Sequence, residues 1–381
     1  MLRRLLCALI LAATPLAAQS PAQIDALFAD IGARSPGAAV LVLRDGRTVF
    51  ERGYGVTDQR TFTPISPSTN FRLASCTKQF TAMAVMLLVH DGKLNYDQPL
   101  AGVLPGFPPY GRSITLRHLL THTSGLVAYE DLMDKQYTGT PPGKIPQIRD
   151  AGVLQLLEQQ SATKFAPGSN WEYSNSGFAV LAMVVEKASG KPFGDFLRDR
   201  IFRPLGMSHT VAYEKGRNEA PNRAYGHSRD AGPSASPTAG SAPVVLPDAW
   251  HETDQSSTSA VLGDGGIYSS LRDLKKWIAA LDHYRLLSAP EMQPAYTPVQ
   301  LPPPAGDAKR PPSYGFGWFL DPYRGHRRLS HDGSTMGFRT TIQRLPDDKL
   351  TVIILSNRGD FDPARRAERI LDLFLGLEAA H

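Results

Sequence analysis

The sequence predicts a mixed α/β fold: an antiparallel sheet built from both chain ends, flanked by helices, with a mostly helical lobe inserted between them. Three observations predict it. Paired apolar runs with turn signals between them stand near each end, at 38–54 and 338–355. From about residue 93 to 310 the pattern turns to helical periodicity and long loops. Amphipathic helical patterns open and close the chain, around residues 20–34 and 362–375. The expected division is an α/β lobe of residues 19–92 plus 311–381 and a helical lobe of 93–310.

Taken in order, Ser20-Pro21 reads as a cap and first-turn proline, and Ile24, Leu27, Phe28 and Ile31 then share one helical face through residue 34. Ala38–Leu43 and Thr48–Tyr54 flank Asp45-Gly46, a strong hairpin signal. A helix beginning near Ser75 carries Phe80, Met83, Ala84, Met86, Leu87 and Leu88 around most of its circumference before Gly92, which predicts central burial. Within the inserted lobe, one helix runs from Phe178 to Ala188 and stops at Gly190, and another follows the capping-box pattern Ser270-Leu271-Arg272-Asp273. Residues 229–246, rich in Ala, Gly, Pro and Ser, predict a flexible surface loop. The second hairpin turns at Pro346-Asp347-Asp348, and Asp362-Pro363 caps a closing helix whose apolar face is Ile370, Leu371, Phe374 and Leu375.

Composition narrows the class. Arg3 and Arg4, an apolar run from Leu5 to Ala13 and small residues ending at Ala17-Ala18 read as a secretory signal peptide over residues 1–18. That run is too short to span a bilayer, and no later segment is continuously apolar over the ~20 residues a spanning helix needs. Cys7 follows Leu6 and not a small residue, so the leader lacks a lipoprotein cleavage pattern. The expectation is a secreted or periplasmic protein with no transmembrane segment. Without the leader, Cys76 is the only cysteine, which excludes an internal disulfide. The formal charge of +5 comes from basic residues interleaved with acidic ones, as in Arg365-Arg366-Ala367-Glu368-Arg369, so a nucleic-acid partner is not implied.

The chemistry centres on Phe71-Arg72-Leu73-Ala74-Ser75-Cys76-Thr77-Lys78. Residues three apart on a helix share a face, so the Lys78 amine can reach the Ser75 hydroxyl. That pair reads as a nucleophile beside its base, at a helix start whose free N–H groups favour an oxyanion. Three further segments join it: Trp171-Glu172-Tyr173-Ser174-Asn175, Ser330-His331-Asp332-Gly333-Ser334 and Leu119-Leu120-Thr121-His122-Thr123-Ser124-Gly125-Leu126.

In order and spacing these segments resemble the penicillin-recognising serine hydrolases, in the branch holding class C β-lactamases, D-Ala-D-Ala carboxypeptidases and related esterases. The resemblance extends to Ile201-Phe202-Arg203-Pro204-Leu205-Gly206-Met207, Gly263-Asp264-Gly265-Gly266 and Tyr314-Gly315-Phe316-Gly317-Trp318. It implies a β-lactamase/transpeptidase-like fold in which Ser75 attacks a carbonyl and forms an acyl-enzyme. Lys78 and Tyr173 would carry the proton, and either could accept it first. Asn175 would position substrate and Lys78, and His331 to Ser334 would form the strand beside the substrate. A lysine can act as base only as the neutral amine, a state that burial favours. The natural oxyanion donors are the N–H groups of Ser75 and Ser334, with Gly333 letting substrate lie close to the strand. No metal or organic cofactor is implied.

His331 departs from the lysine usual in β-lactamase members. Histidine titrates near pH ~6.5, so its pull on a substrate carboxylate would be weak and pH-dependent. That favours a D-amino-acid peptidase, carboxypeptidase-like or esterase-like hydrolase of a small molecule or short peptide. The alternatives are a class C-like β-lactamase, or a penicillin-binding or sensor module that acylates and stalls. Arg339 would restore a cation if its side chain reaches the cleft. Plainer readings cover the other candidates. His118 and His122 stand four apart like zinc ligands, but no glutamate follows His118 and no third ligand is evident, so both are assigned structural roles. Thr335 occupies the centre of Gly333-Ser334-Thr335-Met336-Gly337, which removes the nucleophile-elbow reading. Cys76 reads as a small buried filler, and Tyr129, Trp171, Tyr314 and Trp318 as cleft-lining or core aromatics.

Overall fold

The computed structural model describes residues 21–229, 250–302 and 311–377. The expected leader at 1–18 and all but residue 229 of the expected loop at 229–246 lie outside them. Five strands form one antiparallel sheet: β1 (Ala38–Arg44), β2 (Arg47–Tyr54), β3 (Leu329–Thr335), β4 (Phe338–Leu345) and β5 (Leu350–Ser356), in the spatial order β2-β1-β5-β4-β3. The sheet is therefore built from both chain ends, as expected. Its central seam pairs Ala38 with Ser356 and Arg44 with Leu350.

The first hairpin closes on Asp45 and Gly46 at φ 51° and 71°. Both positive angles are those of the type I′ turn that matches strand twist, and Asn or Asp followed by Gly adopts them at least cost. A register shift at Val42/Leu43 leaves Val49 unpaired and exposed.

Alternation sorts the sheet into two cores. Ala38, Val40, Val42, Val352 and Ile354 face Ile24 and Phe28 near the N-terminus and Ile370, Leu371 and Phe374 of the closing helix, Pro363–Leu375. That helix starts on the Asp362 carboxylate and stops at Gly376 with φ 67°. Ala39, Leu41, Leu43, Ile353 and Leu355 face the opposite way, into the larger core shared with the helices between residues 78 and 292. The helix Lys78–His90 runs through that core with every residue from Lys78 to Leu88 buried, as its all-round apolar pattern predicts. Asn175–Ser189, stopped by Gly190 at φ 72°, packs beside it.

Two expected elements differ. The opening helix spans only Pro21–Ala26, and the chain then continues in turns bonded from Leu27 N to Ile24 O and from Phe28 N to Asp25 O. Asp25 is drawn into bonds with the Tyr54 hydroxyl and Arg52 of β2, so sheet contacts override the helical period. At the helix Leu271–Asp282, Ser270 accepts from the Asp273 N–H, but the Asp273 carboxylate turns away to His209 N and Thr210 Oγ1. The reciprocal half of the capping box is missing because a long-range partner claims it.

Ile354 is fully buried between the sheet and the terminal helices. Replacing it with alanine should cost about 2–5 kcal/mol of unfolding free energy, read as a lower urea midpoint with an unchanged m-value.

Candidate active site

Ser75 stands in a single 3-10 turn, Ala74–Thr77, that leads into the helix beginning at Lys78. In a 3-10 turn residues i and i+3 eclipse, which brings Lys78 against Ser75 more directly than α-helical geometry does. Ala74 carries the bend at φ 48°, a left-handed angle costly for a residue with a Cβ. The surroundings hold it there: Leu73 N donates to Ile267 O at 2.8 Å, and Ile267 N donates to Thr77 Oγ1 at 3.2 Å.

Lys78 is fully buried, and its Nζ lies 3.2 Å from Ser75 Oγ, 2.8 Å from Asn175 Oδ1 and 3.0 Å from the Asp264 carbonyl oxygen. Three polar partners match the three free directions of one amine nitrogen. Asn175 is free for this because Ser174, not Asn175, caps the helix, accepting from the Gly177 N–H. Asn175 Nδ2 in turn donates to Glu130 Oε1 at 2.8 Å. The Tyr173 ring centroid lies 4.8 Å from Lys78 Nζ, and its hydroxyl makes no hydrogen bond among the described residues.

Ser75 and Asn175 border a cleft of about 210 Å³ that is also lined by Ser334 and Thr335 and by Arg72, Tyr129, Glu130 and Asp264. Gly333 makes the close approach of β3 to the serine turn feasible: a Cβ there would sit 2.2 Å from Leu73 O and 2.3 Å from Thr340 Oγ1. The structure thus brings together Ser75, Lys78, Tyr173, Asn175, Gly333 and Ser334.

His331 stands beside Tyr173, with ring centroids 6.2 Å apart, but does not line the cleft. It is buried on the inner face of β3, with Nδ1 donating to Asp332 O at 2.7 Å, so Nε2 is the acceptor for the Tyr314 hydroxyl at 3.1 Å. Burial, with Lys78 adding to it, pushes its pKa down to about 3. The expected pH-dependent imidazolium for a substrate carboxylate is therefore corrected to a neutral ring that braces the strand. Arg339 does not replace it, since Nη1 donates to the carbonyls of Thr335, Met336 and Phe338. Cys76 Sγ donates to His331 O at 3.0 Å, and burial pushes the thiol up to about 12, which leaves it inert. His118 caps the helix Leu116–Leu120 with Thr115, and His122 lies under Tyr173. Tyr129 borders the cleft, Tyr314 and Trp318 are core, and Trp171 packs edge-on to His122.

The sequence pattern described as Beta-lactamase matches residues 24–376. The chain belongs to the β-lactamase family of penicillin-recognising serine hydrolases. Within it the chain is 34% identical over 345 residues to penicillin-binding protein 4* of Bacillus subtilis strain 168, covering 88% of this chain and 72% of that one. It is 29% identical over 354 residues to a D-aminopeptidase of Cereibacter sphaeroides, covering 91% of this chain but 61% of the relative. The fold matches that of D-amino acid amidase from Ochrobactrum anthropi SV3 with a TM-score of 0.73 at 24% identity, over 93% of this chain and 98% of that one. The protein is thus a β-lactamase-fold serine hydrolase.

Sequence reasoning missed three β-lactamase-fold cleft residues and one behind them. Glu130 has no local signal, and Arg72 and Asp264 sat unremarked inside segments quoted for their resemblance. Asp150 lies 112 residues before the N–H groups it caps, Leu262 at 2.8 Å and Gly263 at 2.9 Å. Burial raises the Asp150 carboxyl from 3.8 to about 7 and that of Asp264 to about 6.

Two outcomes follow from this geometry. Between pH 4 and 7 the folded state holds protons on Asp150 and Asp264 that the unfolded chain has released, so stability should fall as pH rises through that window. Asp150→Asn should flatten the slope of melting temperature against pH, and an unchanged slope would contradict the assignment. Gly333→Ala should force β3 away from the serine turn, lowering stability by about 1–3 kcal/mol in denaturant titrations and cutting kcat in the same protein.

Proposed function

We propose that this protein is an exported hydrolase that opens amide or ester bonds through an acyl-Ser75 intermediate, acting on substrates with a free amine, as D-amino-acid peptidases and amidases do. The observation that carries the reaction is the coordination of Lys78 Nζ. With Asn175 Oδ1 and the Asp264 carbonyl each holding one N–H, the remaining valence of a neutral amine is a lone pair aimed at Ser75 Oγ. The hydroxyl proton moves to that amine as Oγ bonds to the carbonyl carbon. The N–H groups of Ser75 and Ser334 meet the oxyanion, and the proton returns to the leaving amine or alkoxide by way of Lys78 and Tyr173. Water then repeats the sequence in reverse on the acyl-enzyme.

The charges around the cleft favour the substrate class. Glu130 and Asp264 both border it. Of the basic side chains near it, Lys78 is engaged by its three neighbours, Arg339 is turned into its own hairpin, and Arg72 donates to Gly265 O and Ser259 O but has no partner at Nη1. A substrate ammonium finds the Glu130 and Asp264 side chains in the cleft lining, which supports a substrate with a free amine. The curated relatives named D-aminopeptidase agree in direction. Export rests on the leader-like residues 1–18.

Ser75→Ala should abolish turnover, and Tyr173→Phe should lose most of it while melting normally. Glu130→Gln should raise KM for a D-amino-acid amide about tenfold and leave that for p-nitrophenyl acetate unchanged. Equal effects on both would remove Glu130 as the amine's partner. Rapid turnover of a chromogenic cephalosporin would instead favour a β-lactamase, and stable acylation by penicillin without turnover a binding or sensor module.

A further inference from the structure

His122 is buried at the centre of the molecule, yet the proposed reaction gives it nothing to do. Its surroundings are specific. Its backbone carbonyl accepts the Glu172 N–H at 3.0 Å, and its Nδ1 accepts the Ser174 N–H at 3.0 Å. One residue therefore holds the N–H groups of the residues on both sides of Tyr173. Its ring also lies against the Tyr173 ring, with centroids 4.4 Å apart and planes tilted by 36°, and is backed by Tyr314 at 4.5 Å and Phe178 at 5.2 Å. His122 itself adopts φ 60°, which turns its carbonyl and its side chain toward the same segment.

We infer that His122 is a positioning residue for Tyr173, acting as a two-point clamp on residues 172–174 with a neutral imidazole as one of its jaws. The Tyr173 hydroxyl makes no hydrogen bond among the described residues, so the backbone and the ring contacts are what fix it beside Lys78. Because Nδ1 accepts a backbone N–H, its lone pair is committed, and the ring proton sits on Nε2. Burial, and the nearby Lys78 and His331, hold its pKa well below the usual histidine value, consistent with that state. The inference rests on the reading of Tyr173 as part of the proton relay.

The acceptor and the ring can be separated by substitution. Asparagine can place Oδ1 where Nδ1 stands and tolerates a left-handed φ, whereas phenylalanine keeps the ring but leaves the Ser174 N–H without an acceptor. With p-nitrophenyl acetate as substrate, H122F should lower kcat about ten- to a hundredfold with little change in KM, because misplacing a reacting group costs turnover more than binding. H122N should recover most of that loss. The double variant H122F/Y173F should be no slower than Y173F alone, since a residue acting only through Tyr173 has nothing left to position. H122A serves as the non-accepting variant if circular dichroism shows H122F unfolded. Wild-type kcat in a folded non-accepting variant, equal losses in H122N and H122F, or additive losses in the double variant would each overturn the clamp. Wild-type kcat in Y173F would mark a different failure, that of the relay reading itself.

Discussion

A buried amine is the constraint on which this molecule turns. Lys78 has no exposed surface, and a buried cationic or polar group that lacks partners costs several kcal/mol, so the fold must deliver acceptors to it. They come from three places far apart in sequence: the serine turn three residues before it, the helix start at Asn175 and the carbonyl of Asp264. Each acceptor is in turn held by something else. Ser174 caps the helix so that Asn175 need not, and Asp150 caps the short helix Leu262–Gly265 that presents the Asp264 carbonyl. Meeting the needs of one nitrogen thus fixes the serine turn, the helix start at Asn175 and the short helix Leu262–Gly265 relative to one another.

Elements whose signal is local are legible in the amino-acid sequence. Asp45-Gly46 demands its turn, Gly190 and Asp362 bound their helices, and the all-round apolar helix after Ser75 goes to the centre. The elements that differ are those where a distant partner overrides a local rule. Asp25, within its helix, gives its carboxylate to Tyr54 and Arg52 of β2, and the Asp273 carboxylate leaves its capping box for His209 and Thr210. The same holds in the site. Ser75, Lys78, Tyr173 and Asn175 sit in short motifs with recognisable spacing. Glu130, Asp150 and the clamp on Tyr173 depend on contacts between segments tens of residues apart or more, which no periodicity encodes.

His331 carries the sharpest lesson. Its place in the strand motif is legible, but which side of the strand it faces and what surrounds it are not. Alternation along β3 puts His331 and Gly333 on the inner face, where Phe319, Tyr314 and Tyr173 surround the imidazole. A residue that would select anionic substrates if it faced water becomes a brace when it faces rings. The acidic side chains that border the cleft are Glu130 and Asp264, and His331 is not among its lining residues.

The central seam of the sheet joins β1 to β5, pairing residue 38 with residue 356. Such non-local pairing closes late, because the loop entropy of everything between the two strands must be met first. The strand that carries Gly333 and Ser334 belongs to that same late-arriving part of the sheet. A half-threaded chain therefore holds its serine turn without the strand that closes the cleft beside it.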